Sequence, residues 1–212
     1  MAGNKAQLEK QIENGKFDNQ NGPIYRWNAS DCHPEIVINE RTNAIQRNAT
    51  GTKEFPGFCS CRAAPIQMPS AAAGRIGIIY AEYRILALAK DGAIFIGLST
   101  KEMPLDTRLG LGSVSYGYVN VGNIESKNAN GLEKTISYNM PSLRIGDVGG
   151  CGLNLATHQL FFTKNGQRLN ITNLYVDEDT ADFYPTVSLW DYGDAVEANF
   201  GPNFKYDLSK EF

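Results

Sequence analysis

Hydrophobic residues in this chain recur with a period of two in short runs, the pattern of half-buried β-strands. Residues 80–85 are an example: three apolar side chains would face the core, while Glu82 and Arg84 would face water. Residues 93–98 are instead apolar on both faces, as in a central strand that is covered on both sides. The pattern therefore predicts β-structure.

Other segments have the same character. Further strands are predicted at 36–38, 44–47, 58–63, 113–121 (as a strand pair), 146–155, 160–164, 183–190 and 196–201. Two long loops are predicted at 65–74 and 123–145, and a short helix at 5–13 would be marginal unless docked. Short strands separated by turn signals indicate an all-β sandwich or barrel.

The pair Asn165–Gly166 lies between two apolar, β-forming segments and predicts a hairpin with a type I′ turn. The glycines of residues 146–152 do not open a helix, so they do not form a phosphate-binding loop. We expect them to allow close backbone approach, or a bulge, within a strand.

The chain has 212 residues, 42% of them apolar, and a formal net charge of −3. This balance gives no basic footprint, so we expect no nucleic acid and no anionic membrane as a partner. No apolar run approaches the ~18 residues of a membrane span. The first residues lack the apolar region of a secretory signal, so we expect either a cytosolic protein or one whose signal was removed.

The four cysteines are too few for a disulfide framework. Cys59 and Cys61 would share one strand face and are poorly placed to bridge each other. We expect four reduced, mostly buried thiols and a reducing working compartment. Cys32, His33, Cys59 and Cys61 could supply four zinc ligands, but Cys-x-Cys within a strand is a weak zinc signal. No metal or other cofactor is expected.

The sequence gives little sign of catalysis. It has no Gly-x-Ser-x-Gly nucleophile motif. Glu197 with Asp191 or Asp194 could be imagined as a glycosidase pair, but Glu197 should point outward from its strand as an ordinary exposed carboxylate. His158 is interpreted as a solvated turn residue. Three glycosylation sequons begin at residues 28, 48 and 170, and chance accounts for such matches in an Asn-rich chain.

Four segments in a fixed order carry a family resemblance: the glycine-rich strand, Phe-Phe-x-Lys-Asn-Gly at 161–166, Tyr-Pro-x-Val at 184–187 and Val-x-x-Asn-Phe-Gly at 196–201. Together they closely resemble the C-terminal half of a SPRY (B30.2) domain. The resemblance implies an all-β, two-sheet antiparallel SPRY sandwich at residues 25–208. An N-terminal helix and linker (1–24) would precede it, and a tail (209–212) would follow.

Residues 92–107, together with 152–157, 163–169 and 197–204, are similar to one branch, the secreted SPRY effectors (SPRYSECs) of plant-parasitic cyst nematodes. Trp27, Cys32 and His33 fit the opening segment of that branch. Where the family has Trp-Gly-Trp, this chain has Tyr116-Gly117-Tyr118. Residues 48–57 and 122–140 also diverge, which leaves the partner open.

The branch implies a monomeric, non-enzymatic effector that the parasite secretes. It would act in the host cytoplasm and nucleus, bind a host plant protein such as an immune receptor or its regulator, and modulate immunity. One rival hypothesis is a lectin-like or enzymatic sandwich that acts on plant glycans. Another is an intracellular SPRY adaptor.

SPRY domains bind partners through loops at one end of the sandwich. The residues that we predict to bind the partner lie in two such loops and on one strand; they are Arg47, Asn48 and Thr50, then Trp190, Asp191 and Tyr192, and finally Tyr116 and Tyr118. Trp, Tyr and Arg dominate interface hot spots, which supports this choice. Two alternatives stay open: the Trp190 ring could seal the core, and Tyr116 and Tyr118 could be core residues.

Overall fold

The computed structural model describes residues 24–48, 57–67, 77–128, 133–137, 139–172, 174–176 and 182–211. The predicted helix at 5–13 lies outside these residues. The described strands are β1 (Ile24–Cys32), β2 (Ile36–Asn39), β3 (Ala44–Arg47), β4 (Cys59–Gln67), β5 (Ile78–Ala87), β6 (Ile94–Ser99), β7 (Ser115–Val119), β8 (Ile124–Lys127), β9 (Glu133–Ser137), β10 (Val148–Asn154), β11 (Gln159–Lys164), β12 (Gln167–Arg168), β13 (Tyr184–Leu189) and β14 (Ala195–Asn199).

These strands form two seven-stranded sheets. The first has the order β1-β4-β13-β6-β7-β8-β9, and the second has the order β12-β11-β10-β5-β14-β3-β2. The strand pairs are antiparallel throughout. This arrangement confirms the predicted all-β, two-sheet antiparallel sandwich. Among the described residues, none forms a helix long and apolar enough to cross a membrane.

The main core lies between the sheets. Trp27, Tyr83, Tyr118 and Phe162 belong to it and are buried from solvent. The Tyr118 and Phe162 rings meet edge to face, with their centroids 6.0 Å apart. Each large apolar side chain that is fully buried stabilises the fold by about 1.5–3 kcal/mol.

The glycine-rich strand and the hairpin agree with the sequence predictions. Asn165 and Gly166 have φ angles of 51° and 80°, the left-handed conformation that a type I′ turn requires. In β10, a Cβ atom on Gly152 would lie 2.3 Å from the Phe161 ring. The glycine therefore lets that ring lie against the strand backbone, as the expected close approach requires.

Three predictions about elements were wrong. The segment 123–145 was predicted as a loop, but it contains β8 and β9 at the edge of the first sheet. The predicted strand pair at 113–121 is the single strand β7, which pairs with β8. Strand β4 continues through Pro65 into the predicted loop. Of these strands, β9 lies at the edge of its sheet, where polar residues meet water and hide the periodicity.

The C-terminal segment of the chain covers part of the outer face of the second sheet. Phe204 and Tyr206 pack there against Tyr80 and Phe161 in a small separate core. Glu82, predicted to face water, is consequently 2% exposed. Its carboxylate accepts hydrogen bonds from the backbone N–H groups of residues 205 and 206, each at 2.8 Å. Arg84 is exposed, as predicted.

The C-terminal segment predicted as a tail is docked against the sandwich. Residues Leu208–Glu211 form a 3-10 helix. The Glu211 side chain is 3% exposed and pairs with Arg168, and its backbone carbonyl accepts a hydrogen bond from Asn154 Nδ2 at 2.8 Å. The described part of the fold therefore extends to residue 211.

Candidate protein-binding rim

One end of the sandwich is organised around Arg47, the last residue of β3. Its side chain is 1% exposed, and one guanidinium nitrogen donates to the carbonyl oxygens of Gly57 and Trp190. The other terminal nitrogen pairs with Glu35 Oε2 at 2.8 Å. The pKa of Glu35 is lowered, chiefly by this hydrogen bond from Arg47. Arg47 thus connects three separate segments at one point.

The buried carboxylate of Asp194 stabilises the turn that follows β13. It accepts hydrogen bonds from the N–H groups of Ala89 at 2.8 Å and Asp191 at 3.0 Å. Burial raises the pKa of Asp194. Gly193 has a φ angle of 90°, which suits the third position of a type II turn. Residues 191–194 are therefore fixed by their own backbone and by a buried carboxylate.

Two aromatic rings lie on this fixed turn. The Trp190 ring packs on Phe58, with centroids 4.6 Å apart, and remains half-buried. The Tyr192 ring lies beneath the Arg47 guanidinium, whose central carbon is 4.7 Å from the ring centroid. Asp191 is half-buried and Asn48 is exposed beside them. We call Asn48, Phe58, Trp190, Asp191 and Tyr192 the rim.

The structure distributes the predicted binding residues unevenly. It brings Asn48, Trp190, Asp191 and Tyr192 together at one end, whereas Thr50 lies outside the described residues. Arg47 is at the same end, but it is buried and supports the rim from within.

Tyr116 and Tyr118 require a correction, because they are 4% and 0% exposed and belong to the main core. The hypothesis of a surface platform is wrong for both, and the core alternative describes them. They lie on β7, near the middle of the first sheet, and the second sheet covers the face to which they point.

The carboxylates considered for a glycan-cleaving site already have other partners in the structure. Glu197 pairs with Arg84, and the buried Asp194 holds the turn. A polar groove of about 660 Å³ lies along the outer face of the second sheet and includes Glu82 and Glu197. Both carboxylates are already engaged, by backbone amides and by Arg84 respectively.

A possible metal-ligand cluster contains only part of the predicted set. His33, Glu35 and Cys59 each place a ligand atom within 4.8 Å of the others. Glu35 Oε2 already accepts hydrogen bonds from Arg47 at 2.8 Å and from Cys59 at 3.6 Å. A cation there would meet the guanidinium charge at close range, so the cluster fits an ion pair better than a metal.

Sequence reasoning missed Glu35 and Phe58, and it considered Asp194 only as a catalytic acid. The spacing Asp191-Tyr192-Gly193-Asp194 carries a usable signal, since it has glycine at the third position of a turn. Glu35 and Phe58 carry no comparable local signal. Only the folded chain brings them to Arg47 and Trp190.

The fold defines the class of the protein: it is a two-sheet antiparallel β-sandwich with aromatic residues on one end loop. Comparison with known families then identifies the family: residues 79–203 match the model of the SPRY domain, and the chain belongs to this family. SPRY domains typically mediate protein–protein interactions. The resemblance drawn from the sequence is thus confirmed at the level of the family.

Curated relatives include the Ran-binding proteins 9/10 homolog of Drosophila melanogaster, 34% identical over 85% of this chain and 18% of that protein. Ran-binding protein 9 of Mus musculus is 31% identical over 90% of this chain and 28% of that protein. The chain thus spans less than a third of the length of these relatives.

Solved structures agree on the fold. The SPRY domain of human HERC1 matches with a TM-score of 0.60 at 16% identity, over 81% of this chain and 96% of that one. The TRIM65 PSpry domain matches with a TM-score of 0.57 at 15% identity, over 89% of this chain and 98% of that one.

Proposed function

We propose that this chain is a non-enzymatic recognition module that binds a segment of another protein on its rim. The observation that carries the proposal is the support beneath Trp190 and Tyr192. Buried Arg47 and Asp194 hold the backbone that presents these two rings. The rings therefore occupy a defined geometry before a partner arrives.

Preorganisation matters because ordering loops and side chains on binding costs about 0.5–1.5 kcal/mol for each flexible side chain. A central Trp or Tyr anchor contributes about 2 kcal/mol or more to binding. The two half-buried rings could therefore anchor a standard interface of about 1,600 Å² in total. Partner binding would complete the burial of Trp190 and of the part of Tyr192 that the fold leaves exposed, since the Tyr192 hydroxyl is already buried.

The partner class has two candidates. The blocks at 92–107 and 163–169 resemble the secreted SPRY effectors, and this supports a host plant protein as partner, with secretion by a parasite and action in the host cytoplasm and nucleus. The relatives named above are Ran-binding proteins rather than secreted effectors, and their 31–34% identity supports an intracellular adaptor instead.

The rim is tested with Trp190→Ala and Tyr192→Ala, using immobilised protein to capture partners from plant extract, followed by mass spectrometry. Both variants should lose the captured partner, while their melting temperatures stay within a few degrees of wild type. Tyr175→Ala is the matched control, because Tyr175 is 54% exposed and lies outside the rim. The rim proposal fails if the rim variants retain capture, or if Tyr175→Ala loses it equally.

A second comparison separates effector from adaptor. Capture is repeated with extract from the organism that makes the protein, and the gene is inspected for a signal peptide upstream of this chain. An effector should capture its partner from plant extract and carry the signal. An adaptor should capture from its own cells and lack the signal. Glycan-array binding by wild-type protein would instead favour the lectin-like alternative.

A further inference from the structure

Cys32 and Cys61 lie directly opposite each other on the antiparallel pair β1 and β4. The backbone N–H of His33 donates to the carbonyl of Ser60 at 2.9 Å. The cysteine pair therefore occupies the adjacent, non-hydrogen-bonded position of the ladder. Cα atoms at such positions are about 4.5 Å apart, within the roughly 4.4–6.8 Å that a disulfide spans.

The two side chains also point toward each other. In a directly opposed pair of an antiparallel ladder, the two side chains lie on the same face of the sheet, so the Cys32 and Cys61 thiols are neighbours. Cys61 is fully buried, whereas Cys32 at the end of β1 is partly accessible. A bond between these sulfur atoms would therefore need no separation of the two strands, and one of the thiols can be reached from solvent.

The other two cysteines are excluded by position. Cys59 lies two residues before Cys61 on the same strand, where side chains run parallel and Cα atoms are about 6.8 Å apart. Its thiol is directed to Glu35 Oε2, at 3.6 Å. Cys151 lies on β10 in the second sheet and is fully buried.

We propose that Cys32 and Cys61 form a reversible intrachain disulfide when the protein meets a disulfide oxidant, either a small molecule or an oxidoreductase. The Cys32 thiolate attacks one sulfur of the oxidant, forming a mixed disulfide and releasing one thiolate. The Cys61 sulfur then attacks the Cys32 sulfur, and the Cys61 proton passes to the departing second thiolate, which leaves as a thiol. Two protein thiols become one disulfide, and the oxidant is reduced to two thiols. This modification is separate from partner binding at the rim.

The environment sets the order of these steps. Burial raises the pKa of the Cys61 thiol. Cys61 is therefore a poor first nucleophile, and ring closure by Cys61 should be the slow step. The closed ring spans residues 32–61 and includes β2, β3 and Arg47. Cross-linking this segment restricts the unfolded chain, so the oxidised protein should melt roughly 5 °C or more above the reduced protein.

The test uses the whole chain, reduced and then incubated with oxidised glutathione. Titratable thiols should fall from the four that the sequence contains to two. Peptide mapping without reductant should join the Cys32 peptide to the Cys61 peptide, and the melting temperature should rise. Cys32→Ser should abolish the linked peptide and the rise. Cys151→Ala is the matched control and should retain both.

Several outcomes would overturn the proposal. One is wild-type protein that keeps four thiols after prolonged incubation. Another is oxidation that stops at a glutathione adduct on Cys32, and a third is a linked peptide that contains Cys59 or Cys151. Each is read on the wild-type protein, so the result does not depend on how well a core cysteine variant folds.

Discussion

Replacing Arg47 by Met should destabilise the whole fold, although this residue was selected from the sequence as a surface contact. The change removes the guanidinium group, which binds the Glu35 carboxylate and the carbonyl oxygens of Gly57 and Trp190. It leaves the Glu35 side chain, which is 14% exposed, without its cation. Removing one partner of a buried ion pair costs about 3–5 kcal/mol.

Two features place the expected loss at the low end of that range. Glu35 retains some access to water, and Arg47 Nε is buried without a hydrogen-bond partner in the described part of the chain. Met removes the cost of that unpaired nitrogen. We therefore expect a loss of about 3 kcal/mol, or a melting temperature lower by roughly 6–12 °C. Urea unfolding at pH 7 measures the first quantity, and calorimetry measures the second.

The pH dependence provides an independent check. Because Arg47 lowers the pKa of Glu35, the ion pair stabilises the fold fully above the ordinary Glu pKa of about 4.3. That contribution is lost as pH falls through the lowered pKa of the folded state. The deficit of Arg47→Met should therefore shrink below about pH 4. An Arg47→Met protein within 0.5 kcal/mol of wild type at pH 7 would refute the reasoning.

Two further changes test other parts of the scaffold. A hydrogen bond from Asn165 at 2.8 Å and an ion pair with the adjacent lysine hold the pKa of Asp147 to about 2. Asp147→Asn should therefore cost about 1 kcal/mol of stability at pH 7, after solvent screening, and almost nothing near pH 2. The reason is that this stabilisation is present above about pH 3.9 and is lost as the pH falls toward 2. An equal loss of stability at both pH values would contradict the prediction. In Gly117→Ala, the new Cβ would lie 2.7 Å from Leu109 Cβ, so we expect a loss of about 1–3 kcal/mol in chemical denaturation. Gly57→Ala, which meets nothing within 4 Å, should be near neutral, and equal losses in the two glycine variants would exclude the clash as the cause.

Local sequence signals predicted many of the elements of the fold. The alternation in residues 80–85 and the Asn165–Gly166 pair each predicted an element that the structure contains. These signals work because side-chain periodicity and left-handed turn geometry are properties of neighbouring residues. The strands β8 and β9 were not predicted because their polar residues resemble those of a loop.

The rim was only partly accessible to such reasoning. Trp190 and Tyr192 stood out as aromatic residues in a polar turn, and the structure places them on the rim. The type of a residue does not tell whether its side chain points toward the core or toward solvent. Arg47 was therefore assigned to the surface, although its guanidinium points inward. Its partners Glu35 and Trp190 are 12 and 143 residues away along the chain, and their position depends on how the two sheets pack.

By itself, the order of residues determined the strand pattern, the hairpin, the SPRY family and the aromatic character of one loop. Only tertiary packing decided that Glu82 is buried beneath the C-terminal segment, that Tyr116 and Tyr118 fill the core, and that Cys32 faces Cys61. The physical reason is that the exposure of a side chain and its contacts depend on residues that are distant along the chain. The hydrophobic periodicity of a sequence describes only one strand at a time.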